Sequence, residues 1–144
     1  MKKYIFILIS IMIIFLGCTK NNSSTTKDYQ VPDSVMTVEK YADLDFELAS
    51  MLCEKYYSKL KDKEYEEVKE IYNDFLQEKN SIYKKYGVTD PYENAAWAKK
   101  NTKELKEYRR NHQEINYYVI FPEIREANVT IYRLARAENK LKFK

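Results

Sequence analysis

The chain has 144 residues, with 25 Lys and Arg against 22 Asp and Glu and a formal net charge of +3 at pH 7. It is 44% hydrophobic and 15% aromatic, which is too apolar for a disordered protein and too nearly neutral for bulk attraction to nucleic acid. Two cysteines are too few for a disulfide-stapled mini-domain. A chain of this length predicts one domain, because domains usually span about 100–200 residues.

The first 17 residues differ in composition from the rest of the chain. Lys2 and Lys3 precede an apolar run from Tyr4 to Leu16 that only Ser10 interrupts. A membrane-spanning helix needs about 20 apolar residues, so this shorter run is typical of the hydrophobic region of a signal peptide. We therefore interpret residues 1–17 as an export signal.

The apolar run ends in Leu16-Gly17-Cys18, and a polar stretch follows at once. This junction resembles the lipobox of bacterial lipoproteins, in which a small residue precedes an obligatory cysteine. The resemblance implies cleavage between Gly17 and Cys18, diacylglycerol on the Cys18 thiol and an acyl group such as palmitate on the new amino terminus. Thr19 after the cysteine implies the outer membrane or the cell surface rather than the inner membrane. The alternatives are an uncleaved anchor or an ordinary signal peptide with an incidental cysteine.

Residues 18–35 are expected to form the lipidated N-terminus and a flexible tether. From residue 19 onward the segment is polar, contains Pro32 and has no helical or alternating apolar pattern. A fully extended chain of this length reaches at most about 60 Å. We therefore expect a folded body, residues 36–144, to stand off the membrane.

Turn-forming residues are scarce after Cys18, because Gly87 is the single glycine there. A β-rich domain would need many more turns, so residues 36–144 predict an all-α domain. Thr37 is expected to cap a first helix, which a turn near residues 61–62 separates from a second helix. That second helix should end at Gly87.

Asp90-Pro91 predicts the start of a third helix, whose apolar stripe is expected to extend to Val119. Pro122 should end or kink this helix, since proline lacks the backbone amide proton. A last helix is predicted from about residue 123 to residue 141. The body is therefore predicted to be a small up-and-down bundle, either of three long helices with the last one kinked at Pro122 or of four shorter helices.

Candidate catalytic residues are few. His112 is the only histidine, and no good metal ligand lies three or four residues away, so we expect a core or boundary residue. Cys53 is the only thiol once Cys18 is lipidated, and its apolar helix face predicts a buried, inert side chain. A Cys53–His112 pair or a pair of carboxylates would instead make the chain an envelope hydrolase. The sequence predicts no cofactor and no metal site.

Charge is distributed unevenly along the chain. Residues 18–98 carry 11 basic and 16 acidic residues, whereas residues 99–144 carry 12 and 6. The densest basic cluster consists of Lys99, Lys100, Lys103, Lys106, Arg109 and Arg110. It would suit an anionic partner such as lipid headgroups or a cell-wall polymer, or else it packs against the acidic half of the chain. Nucleic acid is not an expected partner of an exported protein.

Tyrosine is abundant, with 14 in the chain. The two rings of an adjacent pair, Tyr56–Tyr57 or Tyr117–Tyr118, cannot both face inward on a helix, so some rings should contact a partner or lie at the bundle boundary with their hydroxyls in water. These features predict a non-catalytic, membrane-anchored lipoprotein that acts as an envelope binding or structural module. A chaperone or inhibitor in the periplasm that caps another exported protein is the alternative within the binding class.

Overall fold

The computed structural model describes residues 36–142. The predicted export signal, the Gly17–Cys18 junction and the tether lie outside the described residues. From residue 36 to residue 142 the chain is helical without a β-strand, which confirms the predicted all-α bundle. No helix in this range combines the length and the apolar character that crossing a bilayer requires.

The first helical segment runs from residue 38 to residue 60 and is called the rod below. It comprises α1 (Val38–Ser50), a π-helical turn (Met51–Tyr56) and α2 (Tyr57–Leu60). The Thr37 hydroxyl oxygen accepts a hydrogen bond from the Lys40 amide at 3.1 Å, which confirms the predicted cap. The rod ends at the predicted turn, where Asp62 has a left-handed φ of 58°.

The second long helix, α3 (Tyr65–Lys85), starts at a capping box and ends at a glycine. Glu64 and Glu67 exchange side-chain to backbone hydrogen bonds at its start. At its end Gly87 has a φ of 72°, and the Val88 amide donates to the Tyr83 carbonyl at 2.9 Å. This is the terminal arrangement that a glycine in the left-handed region permits.

The predicted third helix is wrong as a continuous element. The chain instead forms α4 (Pro91–Lys100), α5 (Thr102–Asn111), a 3-10 turn (Gln113–Ile115) and α6 (Tyr117–Ile120). The predicted start is confirmed, because the Asp90 carboxylate accepts from the Tyr92 amide at 2.7 Å. Val119, which was expected on a buried stripe, is 62% exposed.

Polar side chains at the two breaks bind the carbonyls that a continuous helix would use. The Asn101 side-chain amide donates to the Trp97 carbonyl at 2.8 Å, and the Thr102 hydroxyl donates to the Ala98 carbonyl at 3.1 Å. The His112 Nδ1 atom lies 2.9 Å from the Tyr108 carbonyl oxygen at the end of α5. The backbone amides of Asn101 and His112 donate to the same Trp97 and Tyr108 carbonyls at 3.0 Å, so the side chains add a second polar contact at the last turn of α4 and of α5.

The last helix is α7 (Ile124–Lys142), and the rod is the element on which the others pack. Helices α3, α5, α6 and α7 all contact it, and α3 runs antiparallel to it. The largest fully buried side chains of the main core are Phe75, Leu44, Leu52, Leu60 and Leu134. A second, smaller cluster of Tyr41, Ala98 and Leu105 joins α4 and α5 to the rod.

Candidate functional site

Most of the predicted basic cluster lies on the surface of α4 and α5. Its exposed members, called the cation face below, are Lys99, Lys100, Lys103, Lys106 and Arg110. On α5, Lys103, Lys106 and Arg110 lie within about 60° of one another around the helix axis. Leu105 points to the opposite side and is buried. The helix period therefore separates an apolar inner side of α5 from a basic outer side.

The cations of this face are not engaged in ion pairs within the described part of the protein. None of its five members forms an ion pair with another residue between 36 and 142. Glu104 and Glu107 are the exposed acids of α5, so the exposed charges from residue 99 to residue 111 are five positive and two negative, a net of +3. This surface would attract an anion.

Arg109 does not belong to this surface, so its inclusion in the predicted cluster was wrong. Four residues after Leu105, it points to the same inner side and is only 7% exposed. Its guanidinium pairs with the Asp45 carboxylate on α1, and its central carbon lies 5.1 Å from the centre of the Tyr117 ring. Burial raises the pKa of Asp45, while Arg109 and the Tyr117 hydroxyl act to lower it. Arg109 therefore attaches α5 to the rod.

Three lysines outside α4 and α5 form ion pairs that include a tyrosine hydroxyl. Three glutamates each accept a hydrogen bond from a tyrosine hydroxyl and pair with a lysine of another segment. These Tyr–Lys–Glu clusters are Tyr56–Lys55–Glu78, Tyr86–Lys85–Glu47 and Tyr57–Lys61–Glu126. The Lys55 ammonium and the Tyr56 hydroxyl lower the pKa of Glu78, and the Tyr57 hydroxyl and Lys61 lower that of Glu126. The clusters join the rod to α3 and α7.

Two of these clusters border a groove between the rod and α3, next to the π-helical turn. The lysine–glutamate pairs Lys55–Glu78 and Lys85–Glu47 line it together with the apolar side chains of Met51 and Ile82. A π-helical turn often occurs at a functional site. Here, however, Lys55 and Lys85 are already paired with glutamates across the groove. The charges that line the groove therefore neutralise each other and indicate no particular class of ligand.

The structure places Cys53 and His112 in unrelated surroundings. Cys53 lies in the main core, where burial, reinforced by Glu123 and Glu54, raises the pKa of its thiol to about 12. The His112 ring stacks on Tyr108 with ring centres 4.0 Å apart, at the end of α5. No group of three or more His, Cys, Asp or Glu side chains between residues 36 and 142 is arranged to hold a metal ion.

The prediction that adjacent tyrosines cannot both be buried is confirmed for Tyr117–Tyr118 and wrong for Tyr56–Tyr57, which are both buried at the end of the π-helical turn. The exposed aliphatic residues that follow Tyr118 were not predicted. In α6, Tyr118 is 44% exposed, Val119 62% and Ile120 40%, and these three residues are called the apolar turn below. Only Tyr117 at its start is buried. The available signal was a run of consecutive apolar residues, 117–121, directly before Pro122, because no single helix face can bury such a run.

Comparison of the chain with protein-family models, with curated proteins and with solved structures found no match. No relative therefore supplies a function or a set of site residues. Candidate surfaces within residues 36–142 include the cation face, the apolar turn and the groove beside the π-helical turn.

Proposed function

We propose that this chain is a bacterial lipoprotein anchored through Cys18, and that its helical body is a non-catalytic module binding an anionic component of the cell envelope. The cation face is the binding surface. The observation that carries the proposal is that five exposed cations without an ion-pair partner between residues 36 and 142 are clustered within residues 99–110, where two exposed acids leave a net charge of +3.

The proposed anchor rests on the sequence Leu16-Gly17-Cys18 after a short apolar run. Each buried methylene contributes about 0.8 kcal/mol, so two or more acyl chains would hold the protein on a membrane almost permanently. The test is mass spectrometry of the chain recovered from bacterial membranes. We expect an N-terminal peptide that begins at a diacylated Cys18, with Cys18→Ala as the unlipidated control; an unmodified Cys18 in a water-soluble product would contradict the anchor.

Two features of the body support a non-catalytic role. With a pKa of about 12, the Cys53 thiol is protonated at neutral pH and is a poor nucleophile. The carboxylates of Glu47, Glu78 and Glu126 accept hydrogen bonds from tyrosines within the Tyr–Lys–Glu clusters. These carboxylates stabilise contacts between helices, and each is already bound to a tyrosine hydroxyl and a lysine ammonium.

The binding surface is tested with a matched pair of variants. The first changes all five residues of the cation face to Gln. The control changes five exposed cations elsewhere to Gln, namely Lys59, Lys69, Lys84, Arg125 and Arg136. Both variants remove the same charge, so a difference between them reports position rather than net charge. The measurement is the salt concentration at which the full chain, in nonionic detergent, elutes from phosphocellulose.

A cation near an anionic surface contributes about 1 kcal/mol, so removing five should weaken binding by more than about 100-fold. We expect the cation-face variant to elute at far lower salt than the unmodified chain and the control variant to elute close to it. Equal losses in the two variants would contradict the proposal, because binding would then follow net charge alone.

A further inference from the structure

The apolar turn lies close to the C-terminal end of α5. The Arg109 guanidinium lies over the Tyr117 ring, and the Tyr117 and Tyr118 rings are 4.3 Å apart between centres. Arg110, the neighbour of Arg109 in the chain, belongs to the cation face. The C-terminal end of the cation face and the apolar turn therefore belong to the same end of the molecule.

The first described residues of the body lie next to α4 and α5. Met36 and Val38 pack on the cluster of Tyr41, Ala98 and Leu105, which joins α4 and α5 to the rod. The chain between Cys18 and this point has 17 residues and reaches at most about 60 Å. An acyl anchor at Cys18 would therefore keep the whole body, including α4 and α5, within reach of the bilayer.

We propose that the apolar turn enters the interfacial layer of an anionic phospholipid membrane while the cation face contacts the lipid phosphates. This inference rests on the proposed function and names its anionic partner as a lipid surface. Tyrosine and aliphatic side chains bind at the boundary between headgroups and acyl chains, and neighbouring cations bind the negative surface. A soluble or cell-wall polyanion would pair with the cations but would leave Val119 and Ile120 in water.

The test places an environment-sensitive fluorophore on the turn. Val119→Cys is labelled in the full lipidated chain and reconstituted in vesicles of phosphatidylcholine, with or without phosphatidylglycerol. Val129→Cys is the matched control, because Val129 is 55% exposed but lies on α7. Acylation blocks Cys18, and burial protects Cys53, so the introduced thiol is the one that reacts.

We expect the emission of the label at residue 119 to shift to shorter wavelength and to gain intensity only with phosphatidylglycerol, and the label at residue 129 to stay unchanged. Neutralising the cation face should abolish the shift. Equal shifts at both positions, or the same shift in pure phosphatidylcholine, would overturn the inference.

One outcome separates this inference from the proposed function. If residue 119 shows no shift with phosphatidylglycerol while the cation face still determines retention on phosphocellulose, the lipid surface is wrong and the anion-binding module stands. If residue 119 shows no shift with phosphatidylglycerol and the cation-face and control variants lose retention equally, both proposals are overturned.

Discussion

The rod, α3 and α7 differ from α4 and α5 in what their surface cations do. In the first region Lys55, Lys61 and Lys85 bind glutamates that also accept tyrosine hydrogen bonds. In the second, the five members of the cation face have no ion-pair partner in the described protein. The first region also carries exposed cations without an ion-pair partner, such as Lys59, Lys69 and Arg136, but these are scattered. The combination of clustering and lack of a partner therefore distinguishes the cation face.

The two regions also differ in how they are held together. A continuous apolar core joins the rod to α3 and α7. Helices α4 and α5 instead dock through the small cluster around Tyr41 and through the buried Asp45–Arg109 pair. This pair fixes the rotation of α5 about its axis, and so it also determines that Lys103 and Arg110 face outward.

The largest expected effect concerns the buried pair. Arg109→Met leaves the Asp45 carboxylate buried without its counterion, and breaking such a pair typically costs about 3–5 kcal/mol of the free energy of unfolding. Urea denaturation measures the loss. The double variant Asp45→Leu/Arg109→Met should recover most of it, because no unpaired charge is then buried. A loss below about 1 kcal/mol in the single variant would show that the pair does not hold α5.

A smaller effect is expected at Lys79 on α3, a buried residue whose pKa is lowered by burial to about 8. Below pH 8 both folded and unfolded states carry the proton, so the cost of burying the charge is fully present. Between about pH 8 and 10.5 only the unfolded state keeps it, and the free energy of unfolding rises by at most about 3 kcal/mol. Comparison with Lys79→Met isolates this change: the stability advantage of the variant should shrink over that range. An advantage that stays constant would contradict the shifted pKa.

Each hydrogen bond of the Tyr–Lys–Glu clusters should contribute less to the free energy of unfolding than the two buried groups above. Tyr56→Phe removes the hydrogen bond to Glu78, which measures 2.7 Å, and should lower the free energy of unfolding by about 1 kcal/mol. Tyr132→Phe is the control, since Tyr132 is exposed on α7 and should change stability by less than about 0.5 kcal/mol. Equal effects would mean that the cluster adds nothing beyond ring packing.

The sequence predicted the parts of the fold that depend on helix period and on terminal residues. Thr37, Gly87 and Asp90 act at helix ends as expected, and the apolar stripe of α3 is buried from Tyr65 to Ile82. The breaks at Asn101 and His112 were missed. Both coincide with side chains that contact carbonyls of the preceding turn, a local feature that a helical apolar pattern does not reveal.

The candidate site was predicted in part. Five of the six predicted cations are exposed, but Arg109 is buried because a carboxylate on α1, 64 residues earlier in the chain, is its partner. The tyrosine hydroxyls bound to glutamates also depend on pairs distant in sequence, such as Tyr57 and Glu126. Periodicity places a residue on one side of its own helix and gives no information about which residue of another helix lies opposite.

We infer that the paired cations stabilise the fold, whereas the clustered, unpaired cations of the cation face bind the partner. The most direct test measures both properties in two variants of the full chain: the cation-face variant and Lys55→Gln/Lys61→Gln/Lys85→Gln. The account predicts that the first loses retention on phosphocellulose with little change in the free energy of unfolding, and that the second loses stability while retention stays near that of the unmodified chain. If each variant lost both properties to the same degree, the division of the surface into a structural and a binding region would be contradicted.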